Sequence, residues 1–164
     1  MGLGERLQDC KEAVLGRWLE DVLATYSADA AAAFIRQKDP FANPVGHSVR
    51  VGTRAIFEAL LDGEDVGKLH RPLEDIIRIR AVQELDPSQA VGFVFGLKDV
   101  IRAELAGTSS DPKLQTDLAE LERRIDEVAL AAFDIFVSCR EEFCELRVNE
   151  LKRQIPWVVE RRSR

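Results

Sequence analysis

The stretch Leu114–Cys139, LQTDLAELERRIDEVALAAFDIFVSC, decides the fold because its apolar residues recur every three or four positions. This alternation places them along one stripe of an α-helix, as in a heptad repeat. After a second four-residue step the pattern continues through Phe143 and Leu146, which resembles a stutter. The members of this inner stripe are Leu114, Leu118, Leu121, Ile125, Val128, Ala132, Ile135 and Cys139.

The helix that carries the inner stripe is longer than one domain can cover. Nothing interrupts the pattern before Pro156, so we predict a helix over 112–155, about 66 Å long at 1.5 Å per residue. A compact chain of this size has a diameter of roughly 40 Å, so the helix either projects or is covered by a second copy. Phe133, Phe136 and Val137 widen the stripe and favour packing on the chain's own helices for the first half. Self-packing and dimer contact therefore both stay open, and the candidates for dimer contact and transmission are Ile125, Val128, Ile135, Phe143 and Leu146.

Helical periodicity extends over the rest of the chain, which predicts an all-α, single-domain helical bundle over 1–155 followed by a basic tail over 156–164. Asp86 and Gln89 form a capping-box pattern around Pro87, which predicts a helix start. We expect that helix to be the central one. Gly92 and Gly96 would let a neighbouring helix approach it, or else open a path for a ligand. The predicted helices before the last span about 3–26, 27–38, 47–61, 72–85 and 87–105.

Composition narrows the class of protein. The 164 residues are 46% hydrophobic, which suits a globular domain with a core, and no apolar run reaches the roughly 20 residues of a membrane span. The charged amino terminus lacks the apolar segment of a signal peptide, so we expect a cytoplasmic protein without membrane insertion. A net charge of −6 argues against nucleic acid as the main partner. The three cysteines lack metal-ligand spacing and are predicted to be reduced thiols.

Arg80 and Gln83 are the polar residues that demand an explanation, because a helical wheel places both on the apolar face of their helix. A buried guanidinium must be paired. One interpretation is structural: Asp39, Asp86 or carbonyl groups of the loop over 41–46 accept from Arg80 and fix that loop to the core. The residues proposed for this loop–core contact are Asp39, Phe41, Asn43 and Asp86.

The other interpretation of these residues is functional. In a pocket between helices, the guanidinium of Arg80 would donate two N–H groups to a small anionic ligand, and Gln83 would determine which ligand binds. The candidate ligand-binding residues are Arg80, Gln83, Gly92 and Gly96.

Three segments carry a resemblance to a known family: WLEDVLATY at 18–26, DPFANPVG at 39–46 and RIRAVQELDPSQAVGFVFGLKDVIR at 78–102. The chain resembles the amino-terminal domain of the RsbT co-antagonist RsbRD family. The resemblance implies an input module whose long helix carries its state to an output domain, such as a STAS domain or a kinase region. It also implies a dimeric, globin-like helical sensor that binds no haem. Because this chain ends at 164 without a STAS domain or phosphoacceptor, we expect it to act on a separate signalling protein rather than on RsbT directly.

Rival functions lack the residues that they need. We expect no enzyme, because nucleophile, phosphate-loop and metalloprotease motifs are all missing. His47 and His70 lie at helix edges, where an axial haem ligand is not expected, and we predict neither a metal nor any other cofactor. The tail at 151–164, LKRQIPWVVERRSR, has basic clusters around Trp157 and is predicted to dock a partner.

The sequence therefore predicts a non-catalytic, homodimeric sensor or scaffold of stress signalling that transmits through its last helix. The alternatives are a constitutive dimeric scaffold with no ligand and a helical sensor of small anions.

Overall fold

The computed structural model describes residues 1–83, 85–107 and 111–162, and from residue 156 onward it describes the backbone alone. Every regular element in these ranges is helical, which confirms the all-α prediction. The helices are α1 Leu3–Asp9, α2 Lys11–Leu23, α3 Ala28–Arg36, α4 Pro44–Leu61, a short 3-10 helix Val66–Leu69, α5 His70–Val82, α6 Pro87–Val91, α7 Phe93–Glu104 and α8 Pro112–Arg162.

Five of the helices close a ring around the core. α8 packs on α5, α5 on α4, α4 on α2, α2 on α7, and α7 returns to α8. Each helix turns apolar residues toward the middle of the ring, and the bulkiest is Trp18 of α2, whose indole N–H donates to the Phe93 carbonyl oxygen at 2.8 Å. Other fully buried members of the core are Val22, Ile56, Phe57, Leu73, Ile76, Ile77, Leu97, Ile101, Ile125 and Val128.

Side-chain caps set several helix starts as the sequence suggests. The Ser27 hydroxyl accepts from the Ala30 N–H at 3.3 Å at the start of α3. The Asp86 N–H donates to the side-chain oxygen of Gln89 at 3.0 Å, which is the reciprocal half of a capping box at α6. These bonds satisfy backbone donors that a helix start leaves free.

Two of the predicted helices are in fact broken. The first divides at Cys10, whose φ of −101° and ψ of 13° let α1 lie against α4 and α8 while α2 packs on α7. The predicted central helix divides at Gly92 into α6 and α7. An added Cβ at Gly92 would lie 2.5 Å from the Ser88 carbonyl oxygen, so this junction requires glycine.

The prediction that a neighbouring helix approaches closely at Gly92 and Gly96 is wrong, because the close approach lies at another glycine. Gly96 has only ordinary contact space beside it, with an Asp21 carboxylate oxygen 3.8 Å from an added Cβ. The close approach lies at Gly52, where α4 meets α5 and an added Cβ would be 2.7 Å from Ile76 Cδ1. Helix α8, rather than the segment 87–105, is the element on which most of the others pack.

The remaining corrections concern helix ends. Helix α4 begins at Pro44 instead of 47, since Asn43 caps it, and α5 spans His70–Val82 instead of 72–85. Helix α8 continues past Pro156 to Arg162. A proline removes one backbone donor, and an exposed helix can bond the freed carbonyl oxygen to water and continue.

Helix α8 has two unlike halves. Its 51 residues extend over roughly 77 Å. Up to Cys139 the inner stripe is buried or half-buried against the chain's own helices. Residues 144–155, which we call the arm, are all exposed, so the second half of α8 projects from the body.

No helix among the described residues combines the length and the apolar character that crossing a bilayer requires.

Candidate functional site

Arg80 is buried at the meeting point of three helices, with 1% of its surface exposed. Its Nε donates to the Ala90 carbonyl oxygen at 2.9 Å and its Nη2 to that of Gln89 at 2.8 Å. Its Nη1 donates to the Val22 carbonyl oxygen at 3.2 Å. These oxygens belong to the last turns of α2 and α6, which carry unpaired carbonyl groups and the negative ends of the helix dipoles. The two helix ends therefore compensate the buried charge.

The expected carboxylate partners of Arg80 are not its acceptors. Asp86 lies at the start of α6, where its backbone N–H donates to the Gln89 side chain, and the Asp39 carboxylate accepts from the Phe41 N–H at 3.1 Å in an exposed loop. Burial lowers the pKa of the Arg80 guanidinium, because the charged form loses hydration. Carbonyl oxygens at helix ends accept from Arg80 where a carboxylate was expected. Each of these oxygens is held in place by its own helix.

Gln83 extends the same network, since its Nε2 donates to the Tyr26 hydroxyl at 2.9 Å just beyond α2. Both residues that the sequence singles out thus fasten the carboxyl end of α5 to the carboxyl end of α2. Gly92 lies in an apolar groove described below, and Arg80, Gln83 and Gly96 are not among the residues that line that groove. An anion site at Arg80 and Gln83 stays a prediction.

The loop over 37–43 is fixed by one buried amide. Asn43 Nδ2 donates to the carbonyl oxygens of Phe34 at 2.8 Å and Gln37 at 2.9 Å, while its Oδ1 accepts from the Gly46 N–H at 2.8 Å. This amide therefore joins the end of α3 to the start of α4. Phe41, in contrast, is 96% exposed and makes no core contact.

Two arginines of α8 bond the carboxyl ends of other helices. Arg124 donates to the carbonyl oxygens of Leu60 and Glu64, both at 2.6 Å, at the end of α4. Arg140 donates to the Ala81 carbonyl oxygen at 3.2 Å at the end of α5. The sequence analysis did not predict either contact. An arginine on the polar face of a helix is usually exposed to solvent, and the sequence does not distinguish that case from one that bonds the end of another helix.

Ion pairs fix the lengthwise position of α8. Arg102 of α7 binds Glu122 through two N–H groups at 2.6 and 2.8 Å, and Arg78 of α5 binds Glu142 at 3.1 Å. These arginines are exposed and their ion pairs are screened by water, so the effect of the pairs is mainly on register. Together with Arg140, the Arg78–Glu142 pair marks the point where α8 leaves the body.

A second apolar stripe runs along the outside of α8. Its members are spaced by three, four or seven residues, so they share one face of the helix. Leu130 is 66% exposed and Phe133 47% exposed, although both lie on the folded body. We call this set the outer stripe: Leu130, Phe133, Val137, Cys144, Val148, Leu151 and Ile155.

An apolar groove adjoins the start of the outer stripe. It has a volume of about 430 Å³ and lies between the α6–α7 junction and α8. Its walls are Pro87, Val91 and Phe95 on one side and Leu130 and Phe133 on the other. The exposed apolar surface therefore continues from the body onto the arm.

Three of the predicted dimer residues are unavailable to a second copy. Ile125, Val128 and Ile135 are buried in the chain's own core. Of the two alternatives, self-packing and dimer contact, the first half of the helix therefore shows self-packing. Phe143 is half-buried and Leu146 is 61% exposed. Of these five residues, Leu146 is therefore the most exposed.

The described histidine and acidic side chains do not form a metal-binding cluster. His70 lies at the surface, with Nδ1 3.8 Å from a Glu74 carboxylate oxygen. Within the described ranges, His, Cys, Asp and Glu side chains nowhere gather in the threes that a metal ion needs.

Comparison with known proteins identifies the family. A family model described as the RsbT co-antagonist protein rsbRD N-terminal domain matches residues 12–151. The chain belongs to this family. The RsbRD amino-terminal domain family is a group of stressosome-related signalling input modules, and the match runs from Glu12 in α2 to Leu151 in the arm. No curated protein and no solved structure matches the chain.

Proposed function

We propose that this RsbRD amino-terminal domain is a non-catalytic, cytoplasmic signalling module that forms a homodimer and acts on a separate signalling protein through α8. The observation that carries the proposal is the arm, whose twelve residues 144–155 are all exposed although three of them, Val148, Leu151 and Ile155, are apolar and share one face. Large exposed apolar patches mark interaction surfaces.

A second copy of the chain is the partner that best fits the outer stripe. An isolated helix is marginal in water, and its stability comes mainly from packing of its apolar face. The outer stripe has the three- and four-residue spacing by which two helices pack side by side. Parallel pairing would bring each stripe residue close to its counterpart and would leave both arms pointing away from the two bodies.

A separate surface remains for a signalling partner. At about 100° per residue, Leu146 lies roughly 200° around the helix from Cys144, on the side opposite the outer stripe. Its exposed side chain would therefore stay accessible in the dimer. This division assigns the outer stripe to self-association and the Leu146 face to output.

The exit point of α8 offers a route for the signal. Arg80 fastens α5 to α2 and α6, while Arg78 and Arg140 fasten the end of α5 to α8. A shift of α5 would change these contacts and with them the packing of α8 at the stutter near Cys139. Interfaces with two alternative packings are the usual means by which small shifts are amplified.

The variant Leu146→Glu tests the proposed output. We expect it to keep the dimer mass in light scattering, because the substitution lies off the outer stripe. We also expect immobilised L146E to lose a protein that the wild type retains from a cell extract, since the charge disrupts the apolar contact. Retention of the same proteins by both would contradict output through this face.

A constitutive dimeric scaffold without a ligand is the alternative function. The internal acceptors of Arg80 favour it over an anion sensor at that residue, because the guanidinium is already bonded to three carbonyl groups.

A further inference from the structure

A pocket between α2 and α4 lies away from both α8 and Arg80. It has a volume of about 300 Å³, at the lower end of the range for small-molecule sites. Helix α2 contributes an apolar wall, α4 contributes polar residues, and Lys38 approaches from the loop after α3. Its main lining residues are Leu15, Gly16, Leu19, Lys38, Arg50 and Thr53.

The pocket carries two positive charges that lack a counter-ion. Arg54, at its rim, binds Glu12 through two N–H groups at 2.8 and 2.9 Å, and this hydrogen bonding lowers the pKa of Glu12, so that pair is neutral overall. Across the ranges that the structure describes, Lys38 and Arg50 have no carboxylate within ion-pair distance. An anion between them would be attracted by both.

Arg50 has hydrogen-bond donors to spare. Its Nη2 makes two long bonds to the end of α3, at 3.4 Å to the Phe34 carbonyl oxygen and 3.3 Å to that of Ile35. Its Nε and Nη1 have no acceptor among the described residues. A half-buried guanidinium whose Nε and Nη1 are both free to donate offers the fork geometry that carboxylates and phosphates prefer.

The opposite wall is apolar and has space in it. Leu15 is buried and Leu19 half-buried, and Gly16 between them has no atom within 4 Å of where its Cβ would be. Glycine inside a helix destabilises it by roughly 0.5–1 kcal/mol relative to alanine. Here Gly16 leaves space for a ligand beside the apolar side chains of Leu15 and Leu19.

From these features we propose that the pocket binds a small organic anion. The anionic head, a carboxylate or a phosphate, would lie between Lys38 and Arg50, and a short apolar body would lie against Leu15 and Leu19 over Gly16. This site is independent of dimer formation and of the output face, so its failure would leave the proposed function untouched.

Benzoate and phenyl phosphate are suitable probes because both carry an anionic head on an apolar body, and the tighter binder identifies the head. At ten times its Kd, the better probe should raise the melting temperature of the wild type by about 3–6 °C. Benzyl alcohol, which has the body without the charge, should give no shift at the same concentration.

Three variants locate the site. K38E changes an exposed loop residue and should weaken binding by calorimetry at least tenfold, and R50Q should weaken it similarly. G16L fills the open space and should abolish binding, whereas A13L adds the same bulk on the exposed side of α2 and should bind normally. The proposal is wrong if neither probe shifts the wild type, if benzyl alcohol shifts it equally, or if K38E and G16L bind as the wild type does.

Discussion

Replacing Arg80 with alanine is expected to lower the free energy of unfolding by about 3–5 kcal/mol. The side chain donates to the carbonyl oxygens of Val22, Gln89 and Ala90, and its removal would take a donor from each of them. The Ala90 oxygen would lose a buried hydrogen bond, and the Val22 oxygen would keep the long bond from the Thr25 hydroxyl at 3.4 Å. The substitution would also leave a cavity between α2, α5 and α6. For a chain of this length, the melting temperature should fall by roughly 6–20 °C.

Urea denaturation followed by circular dichroism measures this change, and Arg123→Ala is the matched control. Arg123 also makes close ion pairs, with Glu120 and Glu127, but it is exposed, so its loss should leave the free energy of unfolding nearly unchanged. Arg80→Lys should lie between the two, because an ammonium retains the charge but cannot reach three carbonyl groups at once. A loss below about 1 kcal/mol for R80A would show that Arg80 does not hold these helices together.

The double variant Leu130→Glu/Phe133→Glu is expected to weaken dimerisation at least about a hundredfold. Both residues lie at the junction of the groove and the outer stripe, and both are exposed on the body. Burying two unpaired carboxylates in a dimer interface costs several kcal/mol, which corresponds to two or more factors of ten. Because both side chains are largely exposed in one copy, the fold itself should be retained.

Light scattering over a dilution series measures the dimerisation of this variant, with circular dichroism as the test of folding. L146E is the control, since it places a glutamate on an exposed apolar position of α8 outside the outer stripe. If the double variant dissociates no more readily than L146E, the outer stripe is not the interface.

The sequence predicted the fold best where the structure depends on residues that are close together in the chain. The inner stripe and the caps at Ser27 and Asp86 identified helices because periodicity and capping are local properties. The family resemblance was confirmed as well, over 12–151. The breaks at Cys10 and Gly92 were missed because each depends on the directions of neighbouring helices.

The partners of the buried polar residues could not be predicted in the same way. A helical wheel shows that Arg80 faces inward, but it does not show which helix ends meet there. Carboxylates or carbonyl groups of the loop over 41–46 were therefore expected where the structure has carbonyl groups at the ends of α2 and α6. Likewise, α8 has two apolar stripes, and only the packing of the whole chain determines that the inner stripe is covered and the outer one exposed.

Cross-linking at Cys144 tests the central claim, that two α8 helices pair in parallel along the outer stripe. Cys144 is exposed, whereas Cys139 is buried and burial raises the pKa of its thiol, so a short bis-maleimide should react first at Cys144. In a parallel pair each Cys144 lies beside its counterpart, and we expect a covalent dimer of twice 18.4 kDa that is absent in C144S and in L130E/F133E. A wild-type chain that stays monomeric under cross-linking, or a C144S chain that cross-links equally well, would contradict the claim.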